Sequence, residues 1–177
     1  MIVDDSDSRA RFEELMLPHL GAAYNLARWI TRHDADAEDL TQESYVRALR
    51  FFKSYRGSDN QACRAWLLTI VRNTCYSWLQ RARPHETFDE VADVLEDDHA
   101  DPEELLLHKA TAALIQRALE QMPLELREVL ILREQEELSY NEIAEVVGAP
   151  LGTVMSRLSR ARGRVRTLLS AEKRILR

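Results

Sequence analysis

The stretch SYNEIAEVVGAPLGTVMSRLSRARGRVR, Ser139 to Arg166, begins with a helix signal, breaks at a Gly/Pro turn and resumes as a helix crowded with arginines. Ser139-Tyr140-Asn141-Glu142 fits a capping box, in which the serine hydroxyl takes an exposed amide and the glutamate reaches back. Ile143 and Val147 repeat at helical spacing, and Gly148 suits the left-handed position that closes a helix. Ala149-Pro150-Leu151-Gly152 then turns into the next helix. Helix, tight turn and arginine-bearing helix make a helix-turn-helix, with the second helix placed to read a major groove.

At about 100° per residue, the second helix turns Val154, Leu158, Ala161, Val165 and Leu168 inward. One flank carries Thr153, Ser156, Arg157, Arg160 and Arg164, and the other Met155, Ser159, Arg162 and Arg166. Residues near the helix start reach base edges, so Thr153, Met155, Ser156, Arg157 and Arg160 are assigned to base readout. Arg162, Arg164 and Arg166 are assigned to phosphate contacts. The plainer reading, a solvated basic face on a helical hairpin, explains the arginines but not the capping box, turn and burial stripe together.

A net charge of −6 over 177 residues argues against a nucleic-acid partner only if averaged. Residues 84–104 hold ten Asp/Glu and no Lys/Arg, whereas residues 139–177 hold eight Lys/Arg against three Asp/Glu. Separated signs of this kind mark an acidic segment and a basic binding surface.

Upstream, helical periodicity recurs and strand alternation is absent, which predicts an all-α protein. A first helical region spans Arg9 to Thr31 and is kinked or split at Pro18, which lacks an amide donor. A second opens at Asp34, whose side chain caps it, and ends near Phe52. Lys53 to Gln61 is a polar loop broken at Gly57. A third helix, Ala62 to Arg83, buries Trp66, Leu67, Ile70, Val71, Thr74 and Trp78 and turns Arg64, Arg72, Asn73, Tyr76, Arg81 and Arg83 outward. Further helices are expected over Glu103–Gln121 and Leu124–Gln135.

The predicted organisation is two small helical domains, residues 1–83 and 105–177, joined by a flexible acidic linker at 84–104. Fully extended, that linker reaches at most ~70 Å, about two turns of B-DNA. Phe88, Val91, Val94 and Leu95 could form a short docking turn within it. Cys63 and Cys75 fall in an apolar-periodic helix and read as core side chains rather than a redox pair or metal site. No signal peptide or membrane span is visible, so a cytoplasmic protein is expected.

In the N-terminal part, aromatic rings stand beside cations at Tyr55, Arg56, Asn60, Trp66, Arg72, Asn73, Tyr76, Arg81 and Arg83. That mixture suits single-stranded nucleic acid, with bases on rings and arginines along the backbone. The plainer reading, favoured for Trp66 and Trp78 taken singly, is that the tryptophans are core and the arginines solubilising.

DAEDLTQESY (36–45), Tyr55-Arg56-Gly57 and AWLLTIVRN (65–73) resemble region 2 of the bacterial sigma-70 family, nearest to its extracytoplasmic-function (ECF) group. Leu119-Glu120-Gln121-Met122-Pro123 and GTVMSRLSRAR (152–162) resemble region 4. The resemblance implies a transcription initiation factor without cofactor or covalent chemistry of its own. Asp39, Gln42, Glu43 and Arg47 would dock on the β′ clamp helices of core RNA polymerase, and region 4 would meet the β flap. Tyr55, Arg56, Ser58, Asp59, Asn60 and Gln61 would cradle a flipped −10 base, with Arg72, Asn73, Tyr76, Arg81 and Arg83 holding the strand. The helix-turn-helix would read the −35 element, where Met155 suits a thymine methyl better than a polar contact. Promoter DNA and an anti-sigma factor are the further partners implied.

Two other classes of protein fit the residues less well. A sigma mimic that occupies an anti-sigma factor would predict loss of the cations on the third and last helices, and both sets are present. A plain helix-turn-helix repressor leaves the 36–45 face and the aromatic loop unexplained. The five dispersed histidines form no nucleophile-base or phosphate-loop pattern, which leaves an enzyme least favoured.

Overall fold

The computed structural model describes residues 5–57, 60–81 and 112–175, with side chains over 8–57, 60–81 and 112–170. The chain runs α1 (Asp5–Met16), a 3₁₀ turn (Leu17–His19), α2 (Leu20–Thr31), α3 (Asp34–Phe51), a second 3₁₀ turn (Phe52–Ser54) and α4 (Asn60–Arg81). It continues as α5 (112–120), α6 (Leu124–Glu134), α7 (Tyr140–Val147) and α8 (Leu151–Ile175). Among the described residues every regular element is helical. The acidic linker, with the docking turn at Phe88, Val91, Val94 and Leu95, lies outside them.

Pro18 does split the first helical region. The backbone tightens into a 3₁₀ turn around it, leaving α1 and α2 as separate helices. At α3, however, the cap is His33 and not Asp34. The His33 imidazole accepts from the Asp36 amide at 3.5 Å, while Asp34 is already helical and accepts from Arg28 Nε at 2.6 Å. An imidazole nitrogen serves where the sequence offers a carboxylate one residue later.

α2, α3 and α4 pack on one another as a three-helix unit, with α1 laid across α4. A string of rings closes its end. Phe12 meets Phe52 edge-on at 5.2 Å, Phe52 stacks on Tyr55 at 5.9 Å, and Tyr55 lies 4.8 Å from Trp66. Gly57 permits that string, because a Cβ there would stand 2.0 Å from the Tyr55 hydroxyl.

The second unit is built around α6. Residues Leu126 to Leu132 are all buried, Arg127 and Glu128 included, as expected of a helix covered on every side. α7, α8 and α2 of the first unit pack on it, and the end of α5 meets it through Leu119 and Glu120. The Arg127 guanidinium donates to the Leu119 carbonyl at 3.3 Å and to the Glu120 carbonyl at 3.5 Å, so it holds the end of α5. Its pKa falls to about 10 because burial strips its hydration and Arg32 stands nearby.

The two units therefore do not stand apart as beads on a tether. α2 packs on α6 and α4 on α7, and one continuous apolar core runs from Phe12 to Ala161.

Candidate nucleic-acid and polymerase interfaces

In the helix-turn-helix, the capping box at Ser139 forms in both directions. The Ser139 hydroxyl accepts from the Glu142 amide at 3.3 Å, and the Glu142 carboxylate accepts from the Ser139 amide at 2.7 Å. Gly148 takes φ +62°, the left-handed conformation that ends α7. Val154, Leu158 and Ala161 are buried and Val165 is half-buried, as the stripe requires. Leu168 departs from it. At 37% exposure it is open to solvent, on the edge of a groove it shares with Ala118, Met122 and Leu126.

The flanks of α8 separate as expected. Arg160 and Arg164 are exposed and Met155 is 52% exposed, while Thr153 and Ser156 are half-buried near the helix start. Arg157, Arg160 and Arg164 share a groove with Gln121, Pro123 and Glu125. Arg162 is committed elsewhere. Both its Nε and one of its terminal nitrogens donate to Glu134, at 3.0 and 2.6 Å, which raises its already high pKa. With Arg166 it borders an apolar groove of about 600 Å³ floored by Leu119, Leu130, Ile131 and Leu169.

On α3, the acidic-amide face is open. Asp39, Gln42 and Glu43 are exposed, and the half-buried Arg47 donates to Glu43 one turn away. The neighbouring face stays anchored because the Tyr45 hydroxyl donates to the Met16 carbonyl at 2.7 Å. Burial pushes that phenol up to about 12.

The residues assigned to the −10 strand are placed less uniformly. Ser58, Asp59 and Arg83 lie outside the described residues. Arg56, Asn60, Gln61, Asn73 and Arg81 are exposed, and α4 already begins at Asn60 rather than Ala62. Tyr55 is corrected: its ring is 9% exposed inside the aromatic string, and its hydroxyl donates to Cys63 Sγ at 3.0 Å. The flexible-looking YRG segment folds back on the core because Gly57 lets it.

Arg64, Arg72 and Tyr76 are corrected too. They point away from their own core, but into α6 and the turn after it rather than into solvent. Glu128 has no exposed side-chain surface. It accepts from Arg72 Nε at 2.9 Å, from an Arg72 terminal nitrogen at 3.1 Å and from the Tyr76 hydroxyl at 2.9 Å. Arg157 of α8 approaches the same carboxylate at 3.8 Å, and the Arg72 guanidinium lies 4.2 Å over the Tyr76 ring. Arg72 accordingly stays charged: burial is the largest single influence and lowers its pKa, but the hydrogen bonds and charge of Glu128, with Tyr76 beside it, together more than offset that.

A second set borders this one. Glu136 pairs with Arg64 and accepts from Asn25 at 2.7 Å, and Gln135 accepts from Asn25 at 2.7 Å and Trp29 at 3.2 Å. Glu128 and Glu136 were missed as functional residues. Helical spacing puts Glu128 on the same face as the exposed Glu125, so no local signal marked it for burial.

Cys63 and Cys75 are both buried and unpaired, in agreement with a packing role. No described helix is long and apolar enough to cross a membrane, and no cluster of metal-ligating side chains occurs among the described residues.

Comparison with known proteins converges with this geometry. The sigma-70 region 2 model matches residues 15–85, and the sigma-70 region 4 model matches residues 112–165. The chain is 36% identical to the RNA polymerase sigma-H factor of Pseudomonas aeruginosa, over 90% of its own length and 86% of the relative's. It is 34% identical to the ECF RNA polymerase sigma-E factor of Escherichia coli K12, over 78% of each. Among solved structures, the sigma factor RpoE of Bartonella quintana, in complex with the anti-sigma factor NepR, superposes with a TM-score of 0.71. That pair shares 28% identity over 90% of this chain and 97% of the other. With its exposed α3 face, its α8 helix-turn-helix and these matches along nearly its whole length, the chain belongs to the sigma-70 family of RNA polymerase sigma factors, in the extracytoplasmic-function group.

Proposed function

We propose that this chain is a transcription initiation factor that binds core RNA polymerase in the cytoplasm and directs it to particular promoters. The observation that carries the reading is the coexistence of two open surfaces of opposite chemistry. One is the acidic-amide face of α3 at Asp39, Gln42 and Glu43, and the other is the cationic flank of α8 at Arg160 and Arg164.

An acidic and amide-rich helix face matches a cationic protein partner, here the β′ clamp helices, and the salt bridge from Arg47 holds Glu43 in place for it. The apolar groove between α5, α6 and α8 suits a helix with an apolar edge, and it is assigned to the β flap. On promoter DNA, Thr153, Met155, Ser156, Arg157 and Arg160 read −35 base edges, and Arg164 holds phosphate. Arg162, held by Glu134, contributes by fixing α8 against α6 unless DNA displaces that carboxylate. Arg56, Asn60, Gln61, Asn73 and Arg81 form the exposed part of a −10 surface, which Arg72 and Tyr76 complete once released from Glu128. Residues 1–83 and 105–177 then act as the two grips and 84–104 as the acidic connection between them. An anti-sigma factor is the regulatory partner, as NepR is for the Bartonella protein.

The test is to add the purified protein to core polymerase and measure transcription from a matched promoter. Holoenzyme formation and promoter-dependent transcripts are expected, and failure to form holoenzyme overturns the reading.

A further inference from the structure

The start of α8 is the end of a recognition helix that reaches base edges, yet it offers them little hydrogen-bonding chemistry. Thr153 and Arg157 are half-buried, and the Ser156 hydroxyl donates back to the Thr153 carbonyl at 2.9 Å. That bond uses the hydroxyl proton and leaves the oxygen only as an acceptor. The side chains that do project are apolar. Leu151 is 43% exposed and Met155 is 52% exposed, and at i, i+4 they are neighbours on one face. A single exposed apolar side chain needs no explanation. A pair of them does when the exposed Arg160 and Arg164 follow on the same helix, because those cations draw a polyanion against the turn that carries the pair.

Gly152 lies next to this pair and is also exposed. A Cβ there would meet nothing within 4 Å, so no contact inside the chain calls for a glycine. Glycine weakens a helix. What its missing side chain does provide is room for the α8 backbone to come close to a surface outside the chain.

We propose that Leu151 and Met155 together read thymine through its C5-methyl group, so that the −35 element of this chain carries T·A pairs where the first turn of α8 meets the major groove. This deepens the promoter reading and rests on the assignment of α8 to the −35 element. Among the four bases only thymine places a methyl group in the major groove, so an apolar side chain distinguishes a T·A pair without any hydrogen bond. Leu151 and Met155 are about 6 Å apart along the helix axis, and base pairs follow one another every ~3.4 Å. The two methyl groups therefore lie within about two base-pair steps of each other, on either strand. Hydrogen-bonded readout is left to Arg160, more than a turn further along.

The test uses holoenzyme assembled from the full chain and core polymerase, and a pool of random-sequence duplexes as the probe. The −35 elements it selects are remade with deoxyuridine in place of thymidine, one position at a time, which removes the methyl and keeps every hydrogen-bonding group. Selected elements should hold thymine at two positions within two steps. Deoxyuridine at either should weaken binding about fourfold, and at both about fifteenfold, the worth of one and of two buried methyl groups. Met155→Ala should abolish the sensitivity at one position and Leu151→Ala at the other, with melting temperatures unchanged because both side chains lie at the surface. Gly152→Ala should weaken thymidine and deoxyuridine duplexes alike, because it obstructs approach without touching the methyl contacts.

Deoxyuridine bound as tightly as thymidine by the wild type overturns the proposal, as does methyl sensitivity that survives in both alanine variants. Unaltered duplex affinity of Gly152→Ala overturns it too, since the first turn of α8 would then stand away from the groove. So does a Leu151 or Met155 variant that keeps the sensitivity and loses holoenzyme formation, which would place the pair against polymerase. A holoenzyme that selects an element without methyl sensitivity leaves the promoter reading standing. Absence of holoenzyme strikes that reading, and this proposal with it.

Discussion

α4 and α8 are the two arginine-bearing helices of the molecule, and they present their arginines in opposite ways. On α8, Arg160 and Arg164 stand in solvent, and the inward stripe of Val154, Leu158 and Ala161 carries the packing. On α4, the inward side is packed as well, through Leu67, Leu68, Val71 and Cys75, but Arg64 and Arg72 are taken up by Glu136 and Glu128, and Arg81 alone of its arginines stays exposed. Arg72 is left with 15% of its side-chain surface exposed. A cationic helix face in a sequence is therefore a surface only until another part of the same chain is known to lie on it.

Breaking the packed side of α8 should have the largest effect. Leu158→Ala removes a side chain 1% exposed, and the cost should be about 2–5 kcal/mol, read as a lower urea midpoint. A loss under ~1 kcal/mol would mean that α8 does not depend on its inner stripe.

On the outer side the balance reverses. Arg160→Ala should weaken −35 duplex binding by about 1–3 kcal/mol while stability stays within about 0.5 kcal/mol. Electrophoretic mobility shift and thermal melting of the same preparation check both halves of that statement. If stability fell as far as affinity, Arg160 would belong with Arg72 among the structural arginines.

The open face of α3 supplies the next comparison. Asp39→Ala or Gln42→Ala should cost about 1 kcal/mol or more in association with core polymerase and leave duplex binding untouched. A competition assay against the wild-type chain measures the first, and a shift in duplex affinity would show that the two surfaces are not independent.

Ser139→Ala removes one half of the capping box at α7. About 1 kcal/mol of stability should go with it, seen in the denaturation midpoint.

The smallest effect is a dependence on pH. Burial raises Cys75 and Tyr45, each to about 12. Both are acids whose neutral form the fold favours, so their contribution is complete below the unfolded values of roughly 9 and 10. It is lost as pH rises from there toward 12. Stability should accordingly decline above about pH 9, and Cys75 should resist alkylation at pH 8 until the chain is unfolded. Rapid labelling of Cys75 in the folded chain would contradict its burial.

Much of this architecture was readable in the residues. Local chemistry settled the capping box at Ser139, the closing Gly148, the split at Pro18 and the inner stripe of α8, because each depends on neighbours within a turn or two. The two family motifs, at 36–73 and 119–162, carried the polymerase and promoter reading for the same reason, since each is a short run with its own pattern. The exposure of Asp39, Gln42 and Glu43 on α3 was also legible, because charged and amide side chains have little to gain from burial, whereas the exposure of Val46 and Leu49 beside them was not.

What the residues could not disclose is what lies on top of what. Nothing within a turn of Tyr55 says that Gly57 will let its ring fold against Phe52 and Trp66. Nothing near Arg72 says that Glu128, 56 positions later, will meet it. A carboxylate between Arg127 and Val129 looked like surface chemistry until tertiary packing covered α6 on every side and left Glu128 no water, so that it had to find cations. The sequence by itself determined the helices, their caps and the family. Only the tertiary structure decided that the two halves close on each other, because that outcome depends on long-range pairing of buried charge, which local pattern does not encode.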